Sequence, residues 1–142
     1  MDGDIAAILI KKASLEFDKM AGTILEEQDL TPAQFKVIKY LLEESETGVR
    51  IVDLERYFSM SHPTAIGIVQ NLEKKGLATY RDNPNNARSR FIVPTEEGTR
   101  RREELEAVGK MIENRFTMAL SGEERKELID LLKKMMGLNE ED

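Results

Sequence analysis

Cysteine and tryptophan are absent from this 142-residue chain, and histidine occurs once. Without cysteine there is no disulfide, no thiolate metal ligand and no cysteine redox switch. A single histidine leaves no paired-imidazole metal site. No Gly-rich phosphate loop and no spaced nucleophile and base are present, so the chain reads as a non-enzyme with no catalytic residues, cofactor or metal. Long apolar runs are missing too. The stretch from Ile5 to Ile10 follows an acidic Met1-Asp-Gly-Asp start and stops at Lys11-Lys12. It is too short and wrongly flanked for a signal peptide or a membrane span. The expected setting is the cytoplasm, with no membrane partner.

What is present is an ordinary globular composition, 40% hydrophobic and 34% charged. The length suits one domain or a small domain with helical extensions. The net charge of −6 argues against nucleic acid, but its distribution argues the other way. From Arg50 to Arg102 there are ten basic and six acidic residues, a net of +4, so the remainder carries −10. A positive field on the middle of the chain suits DNA, although such patterning also arises from solvated faces.

The middle also holds the most informative pattern. Asp53 to Tyr57 or Phe58 reads as a short helix, and Ser59-Met-Ser61 as a turn. Ser61 can cap a second helix that carries Pro63 in its first turn and ends at Lys74-Lys75-Gly76. Ala65, Ile68, Val69 and Leu72 fall on its inward face. Leu77 to Arg81 and Arg90 to Val93 read as two strands around the turn-forming Asp82-Asn-Pro-Asn-Asn-Ala87. A helix and a two-stranded ribbon are devices that enter DNA grooves.

Around this centre lie helices. Ile5 to about Glu27 is one, apolar on more than one face near its start, which points to burial at a subunit interface. Thr31-Pro-Ala-Gln34 is a capping box opening a helix to about Glu44, with Phe35, Ile38, Leu41 and Leu42 towards a core. Val49-Arg50-Ile51 suits a short strand. Thr95 caps one long helix to about Ala119. Ser121-Gly-Glu-Glu124 opens a last helix to Met136, stopped by Gly137, and residues 139–142 form an acidic tail.

The order and spacing of these elements resemble a winged helix-turn-helix flanked by dimerisation helices. The sequence is similar to the MarR family of multiple antibiotic resistance regulators. The resemblance is carried by Asp29-Leu-Thr-Pro-Ala-Gln34, Asp53-Leu54, Ser61 to Thr64, Leu72-Glu-Lys-Lys-Gly-Leu77, Arg81, Arg88 and Thr95-Glu-Glu-Gly98. It implies a mostly α fold with a two-stranded wing, a single domain over 1–142. Within it, 30–98 is the DNA-binding lobe, and 1–28 and 99–137 are dimerisation helices. It also implies a homodimer that binds pseudo-palindromic double-stranded operator DNA as a repressor, with a small-molecule effector relieving that binding. The alternative is a dimeric interaction module that has kept the fold and lost specific DNA binding.

The expected contacts follow from this frame. Ser61, His62, Pro63 and Thr64 begin the recognition helix, where side chains meet base edges or phosphates. Against this, Ser61 can serve only as a cap and His62 can sit in solvent. Ile66 can touch a thymine methyl or be partly buried, and Gln70 can reach DNA or face water. Ile66 and Gly67 stand where the family usually has polar or basic residues. Arg81, Arg88 and Arg90 flank the wing loop. Arg88 matches the family's wing arginine, which enters the minor groove. Asn86 replaces the family's acidic residue, removing a steering carboxylate and leaving the tip more positive. The methionines suit packing better than a ligand pocket.

Overall fold

The computed structural model describes residues 5–44, 46, 48–86 and 88–138. Helix α1 spans Ile5–Leu25 and runs into a 3-10 turn, Glu26–Gln28. Asp29 closes that turn with φ 55°, in the left-handed region. Helix α2, Pro32–Glu43, starts as the sequence predicts: Thr31 Oγ1 accepts from the Gln34 amide at 3.1 Å and Gln34 Oε1 accepts from the Thr31 amide at 3.2 Å.

Two further helices follow, α3 at Ile51–Phe58 and α4 at His62–Lys74. They are joined by a turn in which Ser59 adopts φ 52°. Gly76, with φ 76°, ends the pair and frees the chain to enter the wing. Strands β1, Ala78–Arg81, and β2, Phe91–Pro94, pair antiparallel, with Ala78 opposite Pro94 and Arg81 opposite Phe91.

The strand expected at Val49-Arg50-Ile51 is reduced to one bridge. The Ile92 amide donates to the Val49 carbonyl at 2.6 Å. The reason is local. Asp53 Oδ2 accepts from the Arg50 amide at 2.9 Å, which makes Arg50 the residue before a helix and starts α3 at Ile51 instead of Asp53.

The single long helix expected after Thr95 is broken into α5, Glu96–Arg100, and α6, Arg102–Phe116. Two packing demands conflict along it. Gly98 is buried against the wing base, where an added Cβ would stand 2.4 Å from the Leu77 carbonyl oxygen. Leu105, by contrast, packs on the α2 side, and Val108 and Ile112 pack against α1. The chain changes direction at Arg101 to meet both. Gly98→Ala is accordingly expected to lose about 2 kcal/mol or more, because the clash is with backbone and cannot be relieved by a rotamer change. Urea unfolding of the two proteins checks this; equal midpoints would show that α5 can move off the wing.

Helix α7, Gly122–Met136, opens with the expected Ser121–Glu124 capping box and ends at Gly137 with φ 71°. The acidic tail 139–142 and parts of the stretch Glu43-Glu44-Ser-Glu-Thr-Gly48, which reads as a polar turn, lie outside the described residues.

Burial divides into two cores. The larger joins α2, α3, α4 and the wing through Val37, Ile38, Leu41, Leu54, Val69, Leu72 and Ile92. The smaller joins Ala21 and Leu25 of α1 to Val108 and Ile112 of α6. The elements around the larger core are called the lobe, and α1 with α6 the arm. Methionine packing is mixed: Met20 and Met60 are half-buried, whereas Met111, Met118, Met135 and Met136 are exposed. No helix among the described residues is long and apolar enough to cross a membrane.

Candidate nucleic-acid interface

Ser61 is the cap of α4, its Oγ accepting from the Thr64 amide at 3.3 Å and lying 2.9 Å from Thr64 Oγ1. Both hydroxyls stay exposed, as do His62, Pro63 and Gln70. The four inward residues, Ala65, Ile68, Val69 and Leu72, are all buried, which fixes the polar face of α4 outward. Ile66 is half-buried at the edge between the two faces. Space beside Gly67 is open, with nothing within 4 Å of where a Cβ would lie. Its glycine is therefore not demanded by packing within the chain.

Between α3, the start of α4 and the wing lies a groove of about 450 Å³. His62, Ile66, Arg88 and Arg90 line it, together with Arg50, Val52, Glu55 and Tyr80. His62 Nδ1 sits 3.1 Å from Glu55 Oε2, so the imidazole is held across the turn between α3 and α4. The Arg90 guanidinium stacks 4.2 Å from the Tyr80 ring centroid. Arg81 alternates with Tyr80 along β1 and is not among the groove residues; it lies 5.4 Å from the Phe91 ring.

The wing tip is built by asparagine side chains. Asn83 Oδ1 accepts from the Asn85 amide at 3.0 Å, and Asn86 Oδ1 accepts from the Arg88 amide at 3.1 Å. Asn86 therefore orders the arginine's backbone without a carboxylate, and Arg88 itself remains exposed.

A model of the MarR family matches residues 28–89, the segment that holds the helix pair and most of the wing. The transcriptional regulator HosA of Escherichia coli O111:H- is 28% identical over 111 residues, 78% of this chain and 81% of that protein. The crystal structure of an S. aureus MepR–DNA complex superposes with a TM-score of 0.82 at 25% identity, covering 92% of this chain and 96% of the other. A cysteine-to-serine variant of E. coli MarR complexed with operator DNA gives 0.82 at 26% identity and 91% coverage of each chain. The chain thus resembles the MarR family in sequence and in fold.

Within this MarR-like chain the positive charge is narrower than its sequence suggests. Arg50 pairs with Asp53 at 3.1 Å, and Arg100 pairs with Glu96 at 3.2 Å and Glu97 at 2.8 Å. Arg101 and Arg102 donate to the Gln28 and Leu42 carbonyls at 3.0 and 2.9 Å. Lys75 donates to the Asp29 carbonyl. Of the ten basic residues from Arg50 to Arg102, those with neither an ion pair nor a hydrogen bond to a carbonyl among the described residues are Arg56, Lys74, Arg81, Arg88 and Arg90. Three of these five are the wing arginines, so the free charge concentrates there.

Sequence reasoning missed Arg50, Val52, Glu55 and Tyr80 as groove walls. Tyr80 had a signal in the two-residue alternation of β1. Arg50 had none, because its position follows from where α3 starts. Burial lifts the Tyr80 hydroxyl above its usual range, with the charge of Glu73 adding and Arg90 opposing.

Partial burial also works to raise the Asp53 carboxyl. The Arg50 hydrogen bonds and the charges of Arg50 and Arg56 outweigh it and hold the group below its ordinary 3.8. A depressed carboxyl adds stability that is present above the unfolded-state value and lost as pH falls through the folded-state one. Asp53→Asn should therefore lower stability by about 1 kcal/mol at pH 7, as expected for a half-exposed charge-assisted hydrogen bond. The gap to the parent protein should shrink below pH 3.8. Urea midpoints at neutral and acidic pH test this; a gap independent of pH would assign the loss to shape alone.

Proposed function

We propose that this protein is a homodimeric, sequence-specific DNA-binding transcriptional regulator that works as a repressor on a pseudo-palindromic operator in the cytoplasm. The observation that carries this reading is the convergence of the exposed start of α4 with Arg88 and Arg90 on one groove. Ser61, His62, Pro63, Thr64, Ile66 and Gln70 meet the major groove, where the hydroxyls and imidazole find base edges or phosphates and Ile66 finds a thymine methyl. Arg88 enters the adjoining minor groove, and Arg81 and Arg90 hold phosphates. Two such lobes reach successive major grooves about 34–36 Å apart. The two DNA complexes among the similar structures favour this reading.

The dimer is supported by apolar surface left open in the single chain. Ile5, Ile8, Leu9 and Leu15 of α1 are 41–52% exposed, and α7 buries none of its residues. A small-molecule effector acts by favouring an arm–lobe arrangement that misfits DNA. An apolar cleft of about 620 Å³ between α1 and α2, lined by Phe17, Ala21, Phe35 and Ile112, offers it space.

Fluorescence anisotropy with the DNA upstream of the coding region, an unrelated duplex and a range of salt tests the reading. Preference for the upstream duplex, with affinity falling as salt rises, is expected. Equal weak binding to both would favour a dimeric interaction module that has lost specific DNA binding.

A further inference from the structure

The junction between arm and lobe is gripped from both sides by cations. Arg101, at the break between α5 and α6, donates through Nη2 to the Gln28 carbonyl at 3.0 Å and to Gln28 Oε1 at 2.9 Å. Lys75, the residue after α4, donates to the Asp29 carbonyl, lies 3.7 Å from Asp29 Oδ1 and donates to Gln34 Oε1 at 3.1 Å. Gln34 is buried, and its side-chain oxygen also accepts from Thr31 at the start of α2. Asp29 holds a left-handed conformation that non-glycine residues adopt only with support. The end of α4 is pinned a second time where Thr95 Oγ1 donates to the Gly76 carbonyl.

Leverage gives this grip its meaning. Lys75 sits at the fulcrum, and the reading end of α4 lies a whole helix away, about 20 Å for 13 residues. A turn of about 10° at the junction moves that end by about 3.5 Å, one base-pair step. We propose that Lys75, acting with Arg101 through the Gln28–Asp29 junction, sets the angle between arm and lobe and so determines which half-site spacing the dimer accepts. Lys75 is here a positioning residue that touches no DNA. The proposal rests on the reading of a homodimer on a two-half-site operator.

The test uses Lys75→Met and Lys75→Arg beside the parent protein, with two readouts. A duplex selected from random DNA by the parent protein is remade with its half-sites one base pair closer and one further apart. The parent should lose about tenfold or more on each, because one base pair shifts a half-site by about 3.4 Å and a tenth of a turn. Lys75→Met should lose on the preferred spacing and bind all three within about threefold, and Lys75→Arg should restore discrimination. Equal loss at every spacing would make Lys75 a phosphate contact and overturn the proposal.

The second readout needs no DNA. The chain has no cysteine, so Lys19→Cys on α1 and Asn71→Cys on α4, both exposed, carry spin labels at known places. Labelled chains diluted in unlabelled protein report the distance within one chain. A narrow distribution in the parent that broadens with Lys75→Met is expected, and identical distributions would overturn the proposal. If the parent binds no selected duplex, the DNA reading fails while the label distances still decide whether the grip fixes the lobe.

Discussion

Replacing Arg88 with glutamate should lower affinity for the operator by about a hundredfold. Each wing contact to the DNA backbone is worth about 1–2 kcal/mol, charge reversal adds repulsion, and a homodimer carries the change twice. A total near 3 kcal/mol corresponds to about two orders of magnitude in the dissociation constant. The variant should fold normally. Arg88 is exposed, and the tip turn uses its amide rather than its side chain, with Asn86 Oδ1 as acceptor. Anisotropy titrations across salt concentrations separate the terms. Arg88→Gln, which removes charge without adding repulsion, should lose about tenfold and flatten the salt dependence by about two counterions per dimer. Unchanged binding by Arg88→Glu would remove the wing from the interface and favour an interaction module.

The two halves of the interface differ in how they appear in sequence. Helix α4 was legible because its signals are local: Ser61 as cap, four apolar residues at helical spacing, and Gly76 as terminator. All four apolar residues are buried, and the cap is made. The wing strands were legible for the same reason, since a dense turn separates two short β-forming runs.

What the sequence did not reveal depends on partners far along the chain. Nothing near Arg101 announces a helix break. The break follows from Gly98 packing close to the Leu77 carbonyl, about twenty residues away, while Leu105 answers to packing on the α2 side. Charge behaved likewise. A count over the middle segment cannot distinguish a guanidinium aimed at solvent from one capping the Leu42 carbonyl, and three of the ten basic residues serve such internal duties. The corrected picture strengthens the wing's case. Arg81, Arg88 and Arg90 keep their charge free of ion pairs, although two of them lean on aromatic rings.

A double substitution on the open apolar face, Ile8→Glu with Leu131→Glu, should separate the subunits and abolish operator binding at ordinary concentrations. The argument begins with burial. Leu128, Leu131 and Met135 recur at helical spacing along α7 and are 41%, 52% and 60% exposed in the single chain. A helix with such a stripe and no buried residue gains little from folding against its own chain. A second copy is the partner that would cover both this stripe and the open start of α1, and stable interfaces bury about 1,200–2,000 Å². Placing two carboxylates per subunit at its centre makes each association bury unpaired charge. Sedimentation should then report 16.2 kDa rather than twice that mass. The lobe has its own core, separate from these positions, so its circular dichroism should be retained. Operator binding should nonetheless fall about a thousandfold, because joining two half-site contacts makes the second effectively intramolecular. A monomer that binds as tightly as the parent would overturn the two-lobe mechanism, and a persistent dimer would move the interface away from α1 and α7.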